Sequence, residues 1–339
     1  MKKQKISEII LVVLSIIVIY VLVRNNYKDI ASAIIHANFL WIILALILYA
    51  TYLVLQAIPF YEFARLYDKK INFRFFIYLI IVTNFFNGIT PLATGGQPLQ
   101  VYEIHKKKIS VVDSTNIVIQ NSIIYQLALV IWILLAIFIN KIFNFFFASK
   151  TLSNMAFIGL ILNLVFLGAL LLVSFSKQFN KKLINGIIKF LAKIHIVKDT
   201  EKQIKKWDKT CTDFYENSQV LLKNKGLVIR AIIYIMLAFA AYYAMPLCIA
   251  KALHLGDNLT IVATITMTSY VFLSSNYLPI PGATGGIEYS FYGYFKNFIT
   301  GYHLKTLLIL WRFLTYYLPT IIGGIVFNIN SIKHTKKSE

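Results

Sequence analysis

Cysteine and charge are what this chain has least of. Cys211 and Cys248 are its only cysteines, which excludes a disulfide framework and any multi-cysteine metal site. His36, His105, His195, His254, His303 and His334 are scattered, without metal-ligand spacing or a partnered Ser or Cys nucleophile. There is also no P-loop. No catalytic set, cofactor or metal is therefore expected. Charged residues make up 14% of the sequence, against about a quarter in a soluble domain. What fills the space is apolar: 58% of the residues are hydrophobic, and the mean hydropathy is +0.68. A chain this apolar has lipid as its solvent. The net charge of +20 does not point to nucleic acid, because the charges lie between apolar runs. Anionic inner-leaflet lipid and the positive-inside rule account for them better.

A spanning helix needs roughly 20 apolar residues. Phe39 to Ile58, Ile117 to Ile139, Leu152 to Phe175, Leu227 to Ala250 and Leu307 to Ile329 qualify. The shorter run Ile9 to Val23 reads as a retained first helix. Its alternative is a signal peptide cleaved near Ala31-Ser32-Ala33, but Arg24, Lys28 and Asp29 separate that site from the run. Two more apolar stretches, Ile71 to Ile89 and Leu259 to Ile280, run into Gly- and Pro-rich sequence. Four of the seven prolines (Pro91, Pro98, Pro279 and Pro281) sit there. Each stretch reads as one arm of a re-entrant or broken-helix hairpin. Lys and Arg clusters place the N-terminus, Arg65 to Arg74, Lys106 to Lys108, Lys177 to Lys225 (with Cys211) and the C-terminal tail in the cytoplasm.

The sequence also repeats itself. Pro91-Leu92-Ala93-Thr94-Gly95-Gly96 returns as Pro281-Gly282-Ala283-Thr284-Gly285-Gly286, displaced by 190 positions, the distance from Thr94 to Thr284. The same shift matches Tyr102 with Tyr292, Lys106 with Lys296, and the flanking spans with each other. One span lies between the copies, so parity predicts opposite insertion. The expected fold is an all-α polytopic membrane protein with two inverted-topology repeats, each carrying a hairpin. The expected division is a first helix and periplasmic connector (1–36), repeat 1 (37–140), a linking span and basic loop (141–226), repeat 2 (227–330) and a cytoplasmic tail (331–339). Within the loop, Phe179, Leu183, Ile187, Leu191 and Ile194 follow a helical spacing among lysines, which suits an amphipathic helix on the inner leaflet. Beyond Lys198 that spacing fades, and a solvated linker reads equally well.

Each Thr-Gly-Gly precedes a plausible helix, Gln97 to Lys107 and Ile287 to Phe298. Threonine can cap such a helix, and glycine admits a close approach of backbone to ligand. The free N–H groups at its start suit an anion such as a lipid phosphate. The alternative is that the glycines serve helix packing. Intramembrane charges point to function, and Glu288 and Arg312 are the candidates. They pair with each other, or Arg312 holds a phosphate while Glu288 meets a cationic headgroup, or Arg312 snorkels to the interface. The candidate headgroup-binding set is Thr94, Gly95, Gly96, Gln97, Gln100, Thr284, Gly285, Gly286, Glu288 and Arg312.

On the paired motifs, Thr90 to Tyr102 and Leu278 to Glu288, the chain resembles the lysylphosphatidylglycerol synthase transmembrane family, also called flippase-like domain proteins. In that family's multidomain member, the multiple peptide resistance factor, a similar membrane region translocates aminoacylated phosphatidylglycerol. A separate soluble domain makes that lipid. The present 339 residues leave no room for such a domain, so the resemblance implies translocation rather than synthesis. A phospholipid or polyprenyl-phosphate lipid is the implied substrate, in a bacterial inner membrane with both termini cytoplasmic. The alternatives are a lipid-modifying enzyme of the phosphatidylglycerol lysyltransferase type, working with a partner synthase, and a non-transporting scaffold.

Overall fold

The computed structural model describes Tyr20, Arg24 and residues 26–193 and 199–338. The run Ile9 to Val23, read as a first helix, lies outside the described residues except for Tyr20. Every regular element described is helical. In chain order they are α1 (Tyr27–Ile35), α2 (Phe39–Ala64), α3 (Phe73–Ile89), α4 (Gly96–His105), α5 (Val111–Phe143), α6 (Lys150–Phe175), α7 (Lys177–Lys193) and α8 (Thr200–Lys223). Then follow α9 (Lys225–Ala252), α10 (Ile261–Ser275), α11 (Gly286–Phe295), α12 (Gly301–Arg312) and α13 (Leu318–Ser338). Among the described residues five helices are long and apolar enough to cross a membrane: α2, α5, α6, α9 and the continuous 301–330 stretch of α12 and α13. They contain the five spans read from the sequence. Side-chain caps fix several helix starts: Asn38, Ser110 and Ser149 accept backbone N–H bonds at the spans α2, α5 and α6, and Thr260 does so at the shorter α10. Apolar side chains such as Phe157 and Val165 of α6 point outward, as expected of a lipid-facing surface.

The repeat is visible in the backbone. Helix α2, helix α3, a 3₁₀ turn, short α4 and long α5 are matched in order by α9, α10, a second 3₁₀ turn, α11 and α12–α13. The turns, Pro91–Ala93 and Pro281–Ala283, are 190 positions apart, as are the starts of α4 and α11. Leu92 (φ 56°) and Gly282 (φ 61°) occupy the same left-handed conformation, one step after the proline that opens each turn. Helices α2 and α9, equivalent in the repeat, run antiparallel. The Asn38 N–H donates to the Ala252 carbonyl at one end, Tyr52 meets Tyr242 in the middle, and Glu62 lies 3.7 Å from Arg230 at the other. The two turns pack on each other, and each repeat lends a helix to the other, α3 against α13 and α10 against α5.

After each turn the copies diverge by one peptide. Thr94 and Gly95 have ψ −9° and φ −76°, whereas Thr284 and Gly285 have ψ 135° and φ 90°. That peptide is therefore flipped between the copies. Only the second conformation demands glycine, since φ 90° lies where a side chain is strained.

The basic loop folds more fully than its sequence suggests. Helix α7 forms, exposing Phe179, Leu183, Ile187 and Phe190 on one face. Past the undescribed 194–198, α8 is a 24-residue helix where a linker read equally well. Its buried face docks on α5: Asn116 donates to the Phe214 carbonyl and Ser218, and Asn217 donates to Asp113. Cys211 is buried in that arrangement, not free on a cytoplasmic surface. Burial, with the neighbouring Asp208 carboxylate, pushes its thiol pKa up.

Candidate functional site

Three elements converge where the halves meet. Helix α11 begins at Gly286 and carries Glu288 in its first turn. Helix α12 ends at Arg312, and the chain continues through a π-helical turn, Phe313–Tyr317, before α13. Such a turn widens a helix locally and recurs at functional sites. Here it swings Tyr316 beneath the guanidinium, whose carbon lies 4.3 Å from the ring centroid. The Tyr316 hydroxyl donates to the Gly88 carbonyl (3.0 Å), tying the second repeat to the end of α3.

Arg312 and Glu288 are 4% and 6% exposed, so the interface-snorkelling alternative for Arg312 does not hold. The Arg312 Nε lies 2.7 Å from Glu288 Oε1, in ion-pair contact but without the alignment of a hydrogen bond. The arginine's Nη2 donates to the Gly282 carbonyl of the second turn at 3.1 Å. The other Glu288 oxygen accepts the Gly285 N–H at 2.6 Å. A carboxylate at that position is also favoured by the helix dipole. Glu288 is thus held on two sides, and it holds Arg312 in turn.

The arginine lines a cavity of about 170 Å³ between the halves. Leu92 and Ala93 of the first turn and Gly282 and Ala283 of the second form part of its wall. Tyr49 and Tyr52 of α2, Tyr242 of α9, Asn84 and Asn87 of α3 and Asn276 after α10 supply much of the rest. Among the described residues Arg312 is the only charged side chain lining it.

The other predicted residues are not among those lining the cavity. Thr94 and Thr284 do not cap the following helices; each hydroxyl donates to the carbonyl of the proline opening its turn, at 3.0 Å. Proline supplies that carbonyl at a fixed point of the 3₁₀ turn, so the threonine is used to close the turn. The Gly95 N–H donates to Thr90 Oγ1 and the Gly96 N–H to Asn87 Oδ1, so these helix-start donors are satisfied within the chain. A Cβ at Gly95 would meet Thr90 and the Phe86 carbonyl inside 3 Å, and one at Gly286 would meet Leu278 at 1.9 Å. Buried Gln100 donates to Thr83, and Gln97 is exposed. The structure therefore brings Glu288 and Arg312 together at the cavity and gives most of the glycines close-packed surroundings. Tyr49, Tyr52 and Tyr242 escape sequence reading because tyrosines within apolar runs carry no distinguishing pattern.

Fold and site define a polytopic α-helical membrane protein with a buried ion pair beside a cavity between two similar halves. Residues 9–323 match the family described as the lysylphosphatidylglycerol synthase TM region, and the chain belongs to that family. It is similar to a UPF0104 membrane protein of Archaeoglobus fulgidus, 24% identical over 329 residues, covering 95% of this chain and 96% of the relative. It is also similar to an uncharacterised protein of Mycoplasma pneumoniae, 23% identical over 343 residues, covering 92% of this chain and 84% of the relative.

Proposed function

We propose that this protein translocates a phosphate-bearing lipid between leaflets and that the headgroup's phosphate binds Arg312 in the cavity between the two turns. The observation that carries this reading is the buried arginine, fixed by Glu288 and Gly282, lining a cavity walled by both turns. A guanidinium suits phosphate because its planar fork donates two parallel hydrogen bonds. The antiparallel packing of α2 and α9 supports inverted repeats, and rocking of one repeat against the other would expose such a site to each leaflet in turn. The family description, a membrane region associated with a lipid synthase, supports a lipid substrate. The bacterial inner membrane, with both termini in the cytoplasm, is the location this reading assigns, and the excess of Lys and Arg in the loops supports the orientation.

The test is reconstitution into liposomes containing tail-labelled fluorescent phosphatidylglycerol, with a membrane-impermeant quencher reporting transfer between leaflets. Wild-type protein should raise the quenched fraction above one half. The variant with both Arg312→Gln and Glu288→Gln, which removes the pair without stranding a charge, should lose at least about 90% of that rate, a change worth roughly 1.4 kcal/mol or more. Undiminished transfer by that variant would count against the site.

A further inference from the structure

Helix α7 leaves one apolar face uncovered. We infer that this face seats in the adjoining membrane leaflet and that the lysines along its edge bind anionic phospholipid headgroups there. Phe179, Leu183, Ile187 and Phe190 recur at helical spacing and are between 37% and 62% exposed. The side of α7 turned to the protein is accounted for separately. Asn180 and Ile188 are buried, and the Lys181 ammonium lies 2.5 Å from the Asp208 carboxylate of α8. Lys182, Lys189 and Lys193 fall on neither side. At about 3.6 residues per turn they line one edge of the apolar face, and all three are exposed.

Two observations name what covers the face. The first is position. A single extended residue, Ser176, separates α7 from the end of the spanning helix α6, and its hydroxyl accepts the Phe179 N–H. At the other end of the α7–α8 hairpin, only Asn224 lies between α8 and the spanning helix α9. The hairpin is thus tied at both ends to helices where they leave the bilayer, and α8 is docked on a third, α5. The second is charge. Helix α7 carries five lysines and no acidic residue, whereas α8 mixes its lysines with Glu201, Asp208, Asp213 and Glu216. An apolar stripe edged by lysines fits a leaflet surface, which offers hydrocarbon beside phosphate.

The experiment places an environment-sensitive fluorophore on Phe190→Cys in the full chain cleared of Cys211 and Cys248. The protein is held in nanodiscs of phosphatidylcholine, alone or mixed with phosphatidylglycerol. Phosphatidylcholine with a nitroxide near the top of its acyl chain quenches a seated reporter, and aqueous acrylamide quenches an exposed one. In the mixed discs the lipid quencher should remove at least about half of the emission, and acrylamide little. Lys182→Gln, Lys189→Gln and Lys193→Gln together should shift the seated-to-exposed ratio about tenfold or more toward water, since each lysine beside an anionic surface contributes about fivefold. The corresponding triple Lys→Arg variant should stay seated. Both variants should melt with the parent, because the three side chains are exposed. A reporter quenched by acrylamide and not by the lipid nitroxide in the mixed discs overturns the inference. So does one shielded from both quenchers, which would mean that a second copy or another protein covers the face. Equal lipid quenching in neutral and mixed discs, an unmoved Lys→Gln variant, or loss of seating in the Lys→Arg variant defeats the anionic headgroup as the partner. None of these readouts depends on what the cavity carries, so their failure is separate from failure of the proposed transport.

Discussion

Arg312 and Glu288 are each other's condition for being buried. A lone charge at the centre of a spanning helix costs about 2.5–3.5 kcal/mol on insertion scales, and removing one partner of a buried pair costs about 3–5 kcal/mol because the other is stranded. Arg312→Gln and Glu288→Gln should therefore each lower the melting temperature sharply. The double variant should recover more than half of the combined loss; strictly additive losses would mean that the 2.7 Å contact does not couple the two residues. Sequence reading reached this pair, but as one of three alternatives. An arginine two turns from the apparent start of a span can snorkel. What removes that choice is α12 beginning at Gly301 and packing Trp311 and Arg312 inward, which depends on the tertiary fold. A second residue-scale prediction concerns Cys211, whose thiol is raised by burial and by Asp208. Its thiolate fraction at neutral pH is correspondingly small, so alkylation should be slow there and should accelerate as the pH rises. Asp208→Asn lowers the thiol pKa again and should speed the reaction about two- to threefold at pH 7.5; an unchanged rate would mean that burial alone governs the thiol.

Among the elements, close approach is concentrated at glycines. Gly159 of α6 faces the Leu273 carbonyl of α10, and a Cβ placed there would lie 1.8 Å from that oxygen. Backbone cannot move aside as a side-chain tip can, so Gly159→Ala should destabilise the protein by about 2 kcal/mol or more. Gly168, on the same helix, has nothing within 4 Å, and Gly168→Ala should be neutral or stabilising by about 0.5–1 kcal/mol. Paired thermal melts check both, and equal effects would contradict the packing assigned to α6. The helices themselves were largely legible, because long apolar runs and the Pro–Gly breaks that end them are properties of the chain alone. The flipped peptide at Thr284–Gly285 was not. It follows from Glu288 reaching back to the Gly285 N–H, while Pro98 occupies the matching place in the first repeat and can offer no carboxylate. Neither the π-helical turn after Arg312 nor the docking of α8 on α5 carries a local signal. Both depend on partners far away in sequence, Gly88 for Tyr316 and Asn116 for Ser218.

At the scale of the whole molecule, two similar helical units flank a cavity, and the opposite insertion proposed for them has its own consequence. In a protein cleared of its native cysteines, exposed Lys107→Cys should react with an impermeant maleimide only from the cytoplasmic side. Exposed Lys296→Cys, at the matching end of the second hairpin, should react only from the outside. Labelling of both from one side would rule out inverted insertion. The most direct measurement of the central claim is a cryo-electron-microscopy map of the full chain in a nanodisc of phosphatidylglycerol. The expected result is a phosphate-sized feature within hydrogen-bonding distance of the Arg312 guanidinium, between Ala93 and Ala283, continuous with acyl density leading to the bilayer. A well-resolved cavity in which that position is empty or holds only water, with lipid phosphates confined to the membrane surfaces, would contradict it.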